Sequence, residues 1–545
     1  MNPNRKDLTS PPDLTHDRRT GPIRVHRPVY LDLMPPCNNA CPAGENIQGW
    51  LTLATEGKYQ EAWEVIVRDN PMPAIHGRVC YHPCESNCNR KEYDEPISIH
   101  AIERFIGDMA LEQGWTPTIT ATPSGKRVLV VGAGPSGLSC AHHLALLGHQ
   151  VEICDAAPLA GGMMRYGIPA YRLPRNILDG EIARLERLGV KITLDHRIVN
   201  LVEELRNGKF DASFIAVGAH LGKKTEIPAR DAGTVLDAVT FLRDVESGTP
   251  PVLGRRVAVY GGGNTAMDAA RVAMRLGSEP LIIYRRDREH MPAHPVEADE
   301  AIEEGVEIHW LRTIKSIEAS TFTVEKMEID EKGRPRPTGV FETIEADDLI
   351  LALGQDTDTD FLRNVPGVEL KDDGTVIVDS QMMTGQVGIF AGGDMVPSDR
   401  TVTIAVGHGK KAARNIDGYL RMDPYVKPAK KSVATYDKLR LWFFAGVTKQ
   451  NQPQIDLTQR KDGFGEVVGG LSNEEAQFEA KRCFSCGNCF ECDGCYAACP
   501  EDAIIKLGTG NRYQFNFDKC TGCATCFEQC PCHAISIVPE AAWEA

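Results

Sequence analysis

No apolar run in this 545-residue chain approaches the ~18 residues that a membrane-spanning helix needs. Residues 1–10 are too polar for the apolar core of a secretory signal peptide, so the chain reads as soluble and cytoplasmic. Positive charge is also scarce. The formal net charge is −15, which argues against a surface built for nucleic-acid phosphates. Residues 225–345 contain no cysteine, so dithiol–disulfide exchange is excluded from that segment. No thiamine, amidotransferase or other substrate-transforming segment is visible, which places any second substrate on another protein.

Cysteine itself is plentiful. Of eighteen residues, fifteen fall in two groups, 37–88 and 483–530, with metal-ligand spacing. In a large chain without secretory signals this pattern favours iron–sulfur chemistry over disulfides. The spacing C-x2-C-x2-C-x3-C-P occurs twice, as Cys489, Cys492, Cys495, Cys499 and as Cys520, Cys523, Cys526, Cys530. That is the ligand run of two-cluster bacterial ferredoxins, in which the fourth cysteine of each run ligates the other cluster. Residues 483–545 hold eight carboxylates against three bases, a net of −5, which suits docking on a basic partner or simply solubility. Cys483 and Cys486 stand just upstream and the ferredoxin pattern has no use for them. Cys140, Cys154 and Cys532 are left to packing.

Two stretches carry a dinucleotide fingerprint. RVLVV (127–131), GAGPSG (132–137) and an Ala/Leu-rich helix lead to a second strand, VEIC, that ends at Asp155. Gly132 permits the tight turn, Gly134 lets the backbone approach a pyrophosphate, and Gly137 packs helix on strand. Pro135 and Ser136 open the helix whose N-terminus favours the anion, and Asp155 stands where ribose hydroxyls bind. RVAVYGGGNTA (256–266) repeats the pattern with Gly261, Gly263 and Ala266, flanked by Asn264 and Thr265. Here no acid follows the second strand. Arg285 and Arg286 take its place, which suits a 2′-phosphate and favours NADP(H) over NAD(H). Two nucleotide sites in one chain point to FAD in the first copy and a nicotinamide in the second. Segments 210–220, 347–354 and 388–394 read as strands returning to the flavin copy.

GAGPSG, GGMMRYGIPAYRLP (161–174), FIAVGAH (214–220), GGGNTAMD (261–268), YRRDREHMPA (284–293) and AGGD with TIAVGHGKKAA (391–413) resemble the glutamate synthase small-subunit family. That family is related to the reductase half of dihydropyrimidine dehydrogenase. The tail resembles the NAD(P)H-binding subunits of 2-oxoacid oxidoreductase complexes. The resemblance implies FAD contacts from Gly161, Gly162, Arg172, Gly218, Gly393, Asp394 and Thr403. It also implies two N-terminal [4Fe–4S] clusters, one ligated by Cys41, Cys80, Cys84 and Glu103. The other is left with Cys37 and Cys88, because the family's leading C-x2-C is absent. EAKRCFSCG (479–487) reads as that opening displaced to the far end, so Cys483 and Cys486 are expected to complete the second cluster, in cis or in trans. Sixteen ligands then suffice for four clusters.

The expected architecture is an extended arm (1–36), a helical iron–sulfur domain (37–122) and a Rossmann-like FAD domain (123–224 and 346–425) interrupted by a Rossmann-like NAD(P) domain (225–345). A linker (426–482) and an α+β bacterial-type ferredoxin domain (483–545) complete it. The expected function is electron transfer between NAD(P)H and a catalytic partner, such as a 2-oxoacid oxidoreductase, within a hetero-oligomeric complex. A stand-alone NAD(P)H:ferredoxin oxidoreductase and a glutamate synthase small subunit are the alternatives. A redox-sensing scaffold is a third.

Overall fold

The computed structural model describes residues 24–223, 225–230 and 233–540. Two five-stranded parallel sheets form its centre. The first has the order Ile389–Ala391, Ala212–Ile215, Arg127–Val131, Gln150–Cys154, Lys191–Thr193. Its strands are short apolar runs such as RVLVV because they lie in the core, with the helices Pro135–Leu146 and Val402–Arg421 packed on them. The second has the order Glu307–Trp310, Glu279–Tyr284, Arg256–Tyr260, Asp348–Leu351, Val235–Asp237. It is flanked by an antiparallel meander, Arg312–Glu318, Thr321–Ile329 and Pro335–Glu345. The chain passes from one sheet to the other and back through a two-stranded link, Leu221–Gly222 against Gln355–Asp356.

Three expectations are corrected. Asp348–Leu351, read as a return to the flavin sheet, is an inner strand of the second sheet, so a boundary at 345/346 cuts that sheet. An apolar run ending in glycine fits either parallel sheet equally well, and only tertiary pairing decides. Residues 426–482 are packed rather than a spacer. Val467 lies in the core of the second sheet, while Leu471, Ala476 and Ala480 lie in the core of the helical domain. The helix Asn473–Lys481, opened by a Ser472/Glu475 capping box, lies against Ile47–Thr55 and Ile99–Glu112. The extended arm, expected to stand apart from the folded domains, is tied down where it is described; residues 1–23 lie outside the described residues. His26–Tyr30 pairs antiparallel with Ile535–Pro539, and Arg24 forms an ion pair with Glu540 (2.6 Å).

Among the described residues no helix is long and apolar enough to cross a membrane.

Candidate functional site: two glycine loops and four ligand quartets

Both glycine loops solve the same steric problem. Gly132 has φ +108°, and a Cβ there would lie 2.4 Å from the Ala216 carbonyl oxygen. Gly261 has φ +153°, with the Ala352 oxygen 2.2 Å from the corresponding point. Any side chain would drive the turn off the end of the neighbouring strand. Gly134 and Gly263 are the N-caps of the helices Pro135–Leu146 and Asn264–Arg275, and neither has a capping side chain, so the first N–H groups are free for an anion. In the third position the copies differ. At Gly137 a Cβ would meet the Gly132 oxygen at 1.9 Å, whereas Ala266 is accommodated and buried.

Around the first loop, Gly161 donates its N–H to Ala133 O (2.9 Å), and Gly162 comes so close to Gly134 that a Cβ would lie 2.8 Å from its Cα. Ser136 Oγ is buried and unpartnered beside Gly393. That orphaned hydroxyl, on a glycine-walled cradle at an open helix N-terminus, fits a pyrophosphate. Asp155 accepts from Ala133 N (2.6 Å) and Ala157 N (2.7 Å), so its carboxylate also braces the loop. Gly218 sits at a left-handed turn with open space around it. Asp394 is held up to about 6 by burial, against the pull of Arg400. Arg172, expected with the flavin, spans the two nucleotide units. It pairs with Asp268 (2.8 Å) and with Glu297, both nearly buried.

In the second loop Asn264 Oδ1 accepts from His294 N (2.7 Å), and its amide nitrogen donates to the hydroxyl of Tyr81, whose ring stacks on His294. Thr265 Oγ1 accepts from Gln355 Nε2 (3.3 Å). Arg285 is exposed; Arg286 is half-buried and its Nε has no partner, which fits a phosphate at that strand end. The Tyr81 contact was not foreseen. No signal in the sequence ties the residue after Cys80 to a loop almost two hundred positions away.

The expected ligands assemble into four quartets. Cys41, Cys80 and Cys84 gather around Glu103, each held up by burial and then by neighbouring acids or thiols. Glu103 is itself raised by burial and accepts from Asn70 Nδ2 (2.6 Å). Cys37, Cys88, Cys483 and Cys486 line one small pocket. The displaced pair therefore meets the N-terminal cysteines within one chain. In the tail, Cys489 and Cys492 face Cys530, while Cys495 neighbours all three. Cys520, Cys523 and Cys526 share a second small pocket with Cys499, the exchange of fourth cysteines that the spacing implies.

One turn recurs in every quartet. The residue two positions after a cysteine is left-handed: His82 (φ +52°), Ser485 (+51°), Glu491 (+58°) and Gly522 (+74°). In three of them its N–H donates to that cysteine's sulfur, His82 to Cys80 (3.3 Å), Ser485 to Cys483 (3.4 Å) and Gly522 to Cys520 (3.4 Å). Glu491 does the same for Cys489. Burial pushes Cys483, Cys495 and Cys526 up to about 12. Thiols packed this way stay neutral unless a cationic centre holds them as thiolates, which is the chemistry an iron cluster supplies.

Cys140 and Cys154 are core residues of the first sheet. Cys532 lies 3.8 Å from Cys530 Sγ and its thiol holds Cys530 down to about 6. His82, Glu85 and His100 bring ligand atoms within 4.8 Å of one another. However, the two imidazoles stack at 3.7 Å with 17° between planes. An ion in the plane of one ring is then far out of the plane of the other.

The pyridine nucleotide-disulphide oxidoreductase model matches residues 126–409, the dihydropyrimidine dehydrogenase domain II 4Fe-4S model matches 32–115, and the 4Fe-4S binding domain model matches 513–536. The chain belongs to the pyridine nucleotide-disulphide oxidoreductase family. Within it, the chain is an NAD(P)H-dependent electron-transfer subunit with iron–sulfur motifs at both ends. It is 37% identical to the NADP(+)-dependent formate dehydrogenase subunit beta of Moorella thermoacetica, over 83% of this chain and 70% of that protein. It is 33% identical to the NADPH-Fe(3+) oxidoreductase subunit beta of Geobacter sulfurreducens, over 85% and 77%. The glutamate synthase [NADPH] small chain of Escherichia coli is 33% identical, over 71% of this chain and 89% of that one.

Proposed function

We propose that the first glycine loop holds FAD, the second holds NADP(H) in preference to NAD(H), and the four quartets each hold a [4Fe–4S] cluster. Flavin, when bound, exchanges electrons in pairs on one side and singly on the other, and clusters carry one at a time. The chain's own part is to order these sites. The helix Val402–Arg421 packs at Gly409 against Ser136 of the first loop and reaches Cys80 through Thr403. The helix Pro36–Ala40 carries Cys37, and Cys41 caps its end, so one turn serves two quartets. Cys84 and Cys88 do the same four residues apart. Gly487 N donates to Cys532 O (2.7 Å), joining the relocated pair to the ferredoxin fold.

We infer that the far end of this series serves a separate catalytic subunit. The relatives named as beta subunits support that reading. A 2-oxoacid oxidoreductase is the partner expected from the tail, and the formate dehydrogenase relative makes formate the competing substrate class. Co-purification from the source cell, followed by assay with either substrate, separates them; isolation of an active single chain that reduces free ferredoxin overturns the subunit reading.

The observation that carries the four-cluster reading is the meeting of Cys37, Cys88, Cys483 and Cys486. Its test is iron per flavin. The intact chain should hold about 16 iron atoms, four per cubane, and the Cys483→Ser/Cys486→Ser variant about 12. An unchanged iron content in the variant rules the quartet out.

A further inference from the structure

We propose that Thr403 sets the reduction potential of the cluster held by Cys41, Cys80, Cys84 and Glu103. The inference rests on the cluster reading above. Thr403 is buried (4% exposed) on the second position of the helix Val402–Arg421, and its hydroxyl donates to Cys80 Sγ at 3.1 Å from 323 residues away. The helix does not need that hydroxyl. Its N-cap is Thr401, whose side chain accepts from Ile404 N (3.2 Å). A threonine near a helix start ordinarily serves a cap or stays in water. This one is spent on sulfur.

The contact is held rigidly. Gly407 abuts the Pro42 carbonyl so closely that a Cβ would lie 2.3 Å from its oxygen, and Gly409 is as close to Ser136 O. Lys410 Nζ donates to the carbonyls of Ala43 and Gly44 and pairs with Asp69 (2.9 Å). The helix therefore grips the 41–45 loop, which bears Cys41, as well as the first nucleotide loop. Cys80 already accepts from the N–H of His82, as its counterparts in the other quartets accept from their own turns. Cys523 has the Thr525 hydroxyl at 3.3 Å, again within its own turn. At Cys80 the additional donor comes from the helix shared with the flavin site.

A hydrogen bond to a ligand sulfur favours the reduced, more negative cluster and raises its potential. Thr403 thus makes the flavin-side cluster a better electron acceptor than its protein ligands alone would. The experiment is an anaerobic EPR-monitored redox titration of the full chain with its flavin and iron. The signal belonging to this quartet is first identified as the one lost in Cys84→Ser. If no cluster signal is lost, the cluster reading fails, and with it the basis of the inference. Given that signal, Thr403→Val should move its midpoint potential down and leave the other clusters in place, and Thr403→Ser should restore the wild-type value. An unmoved or raised potential in Thr403→Val at full iron content overturns the proposal. If Val disturbs iron loading, Thr403→Ala, which removes the donor without adding bulk, decides by the same criterion.

Discussion

At the scale of single residues, the recurring left-handed turn explains a backbone oddity. His82 is neither glycine nor asparagine, yet it has φ +52°. Such a conformation costs of order 1 kcal/mol or more and persists where surroundings enforce it. Here it aims an N–H at Cys80, as Ser485, Glu491 and Gly522 do at their cysteines. The turn follows the first cysteine of a C-x2-C step in three of the four sets, whereas Cys80 opens a C-x3-C step, and the grouping of Cys80 and Cys84 with Cys41 and Glu103 came only from the family resemblance. The pairing of Arg172 was not legible: ion pairs with Asp268 and Glu297 depend on how two sheets meet, which no local pattern records. Arg286 tests the nucleotide assignment. Its orphaned Nε at the end of Glu279–Tyr284 should meet the 2′-phosphate. A charged hydrogen bond contributes about 1.5–3 kcal/mol, so Arg286→Ala should raise the KM ratio of NADPH to NADH roughly 10- to 100-fold. Equal losses for both nucleotides would place the arginine on the shared part of the cofactor.

At the scale of elements, the helix Asn473–Lys481 does what a leading N-terminal helix would do, from the other end of the chain. A buried charge network fixes it. Arg482 pairs with Glu479 (2.5 Å) and Asp94 (3.1 Å), Arg90 pairs with Asp94 and donates to the Arg482 carbonyl, and Ser98 N donates to Glu479 (2.8 Å). Glu479 is fully buried and Arg482 nearly so. Breaking such a network by removing one partner costs roughly 3–5 kcal/mol, because the other charge is stranded. Glu479→Gln should therefore lower the thermal midpoint and release iron from the Cys37/Cys88/Cys483/Cys486 quartet while leaving the two tail clusters loaded. Retention of all iron would show that the network serves stability alone. The sequence wording EAKRCFSCG made the relocated pair legible, but not the network, whose acids and bases look like solvated charge when read along the chain. Segment 426–482 looks like a linker for a different reason: its buried apolar residues (Ala434, Leu439, Val467, Leu471, Ala476 and Ala480) are too sparse for a periodic signal.

At the scale of the molecule, the nucleotide folds and the iron–sulfur domain share buried interfaces that contain neutral histidines. His142 lies on the helix Pro135–Leu146 and its Nε2–H donates to Val67 O (2.9 Å) in the helical domain; burial holds it down to about 3, with Arg184 adding to the effect. His76, in the helix Pro73–Val79, is held down to about 4 by burial. Groups whose folded pKa lies below the unfolded value of about 6.5 bind protons in the unfolded chain first. Their contribution is present at neutral pH and is lost as pH falls from 6.5 toward 4, by about 1.4 kcal/mol per unit for each group. Glu181, raised to about 7 by burial, acts in the opposite sense, since the folded state keeps its proton while the unfolded chain loses it above 4.5. Between pH 4.5 and 6.5 these two histidines destabilise the fold as pH falls, and Glu181 works against them. His142→Gln keeps a donor for Val67 O but cannot titrate. It should flatten the fall of the thermal midpoint below pH 6.5 by about one proton's worth, measured by calorimetry from pH 5 to 8. A slope identical to wild type would mean that the interface between the flavin fold and the iron–sulfur domain opens before His142 is forced to charge.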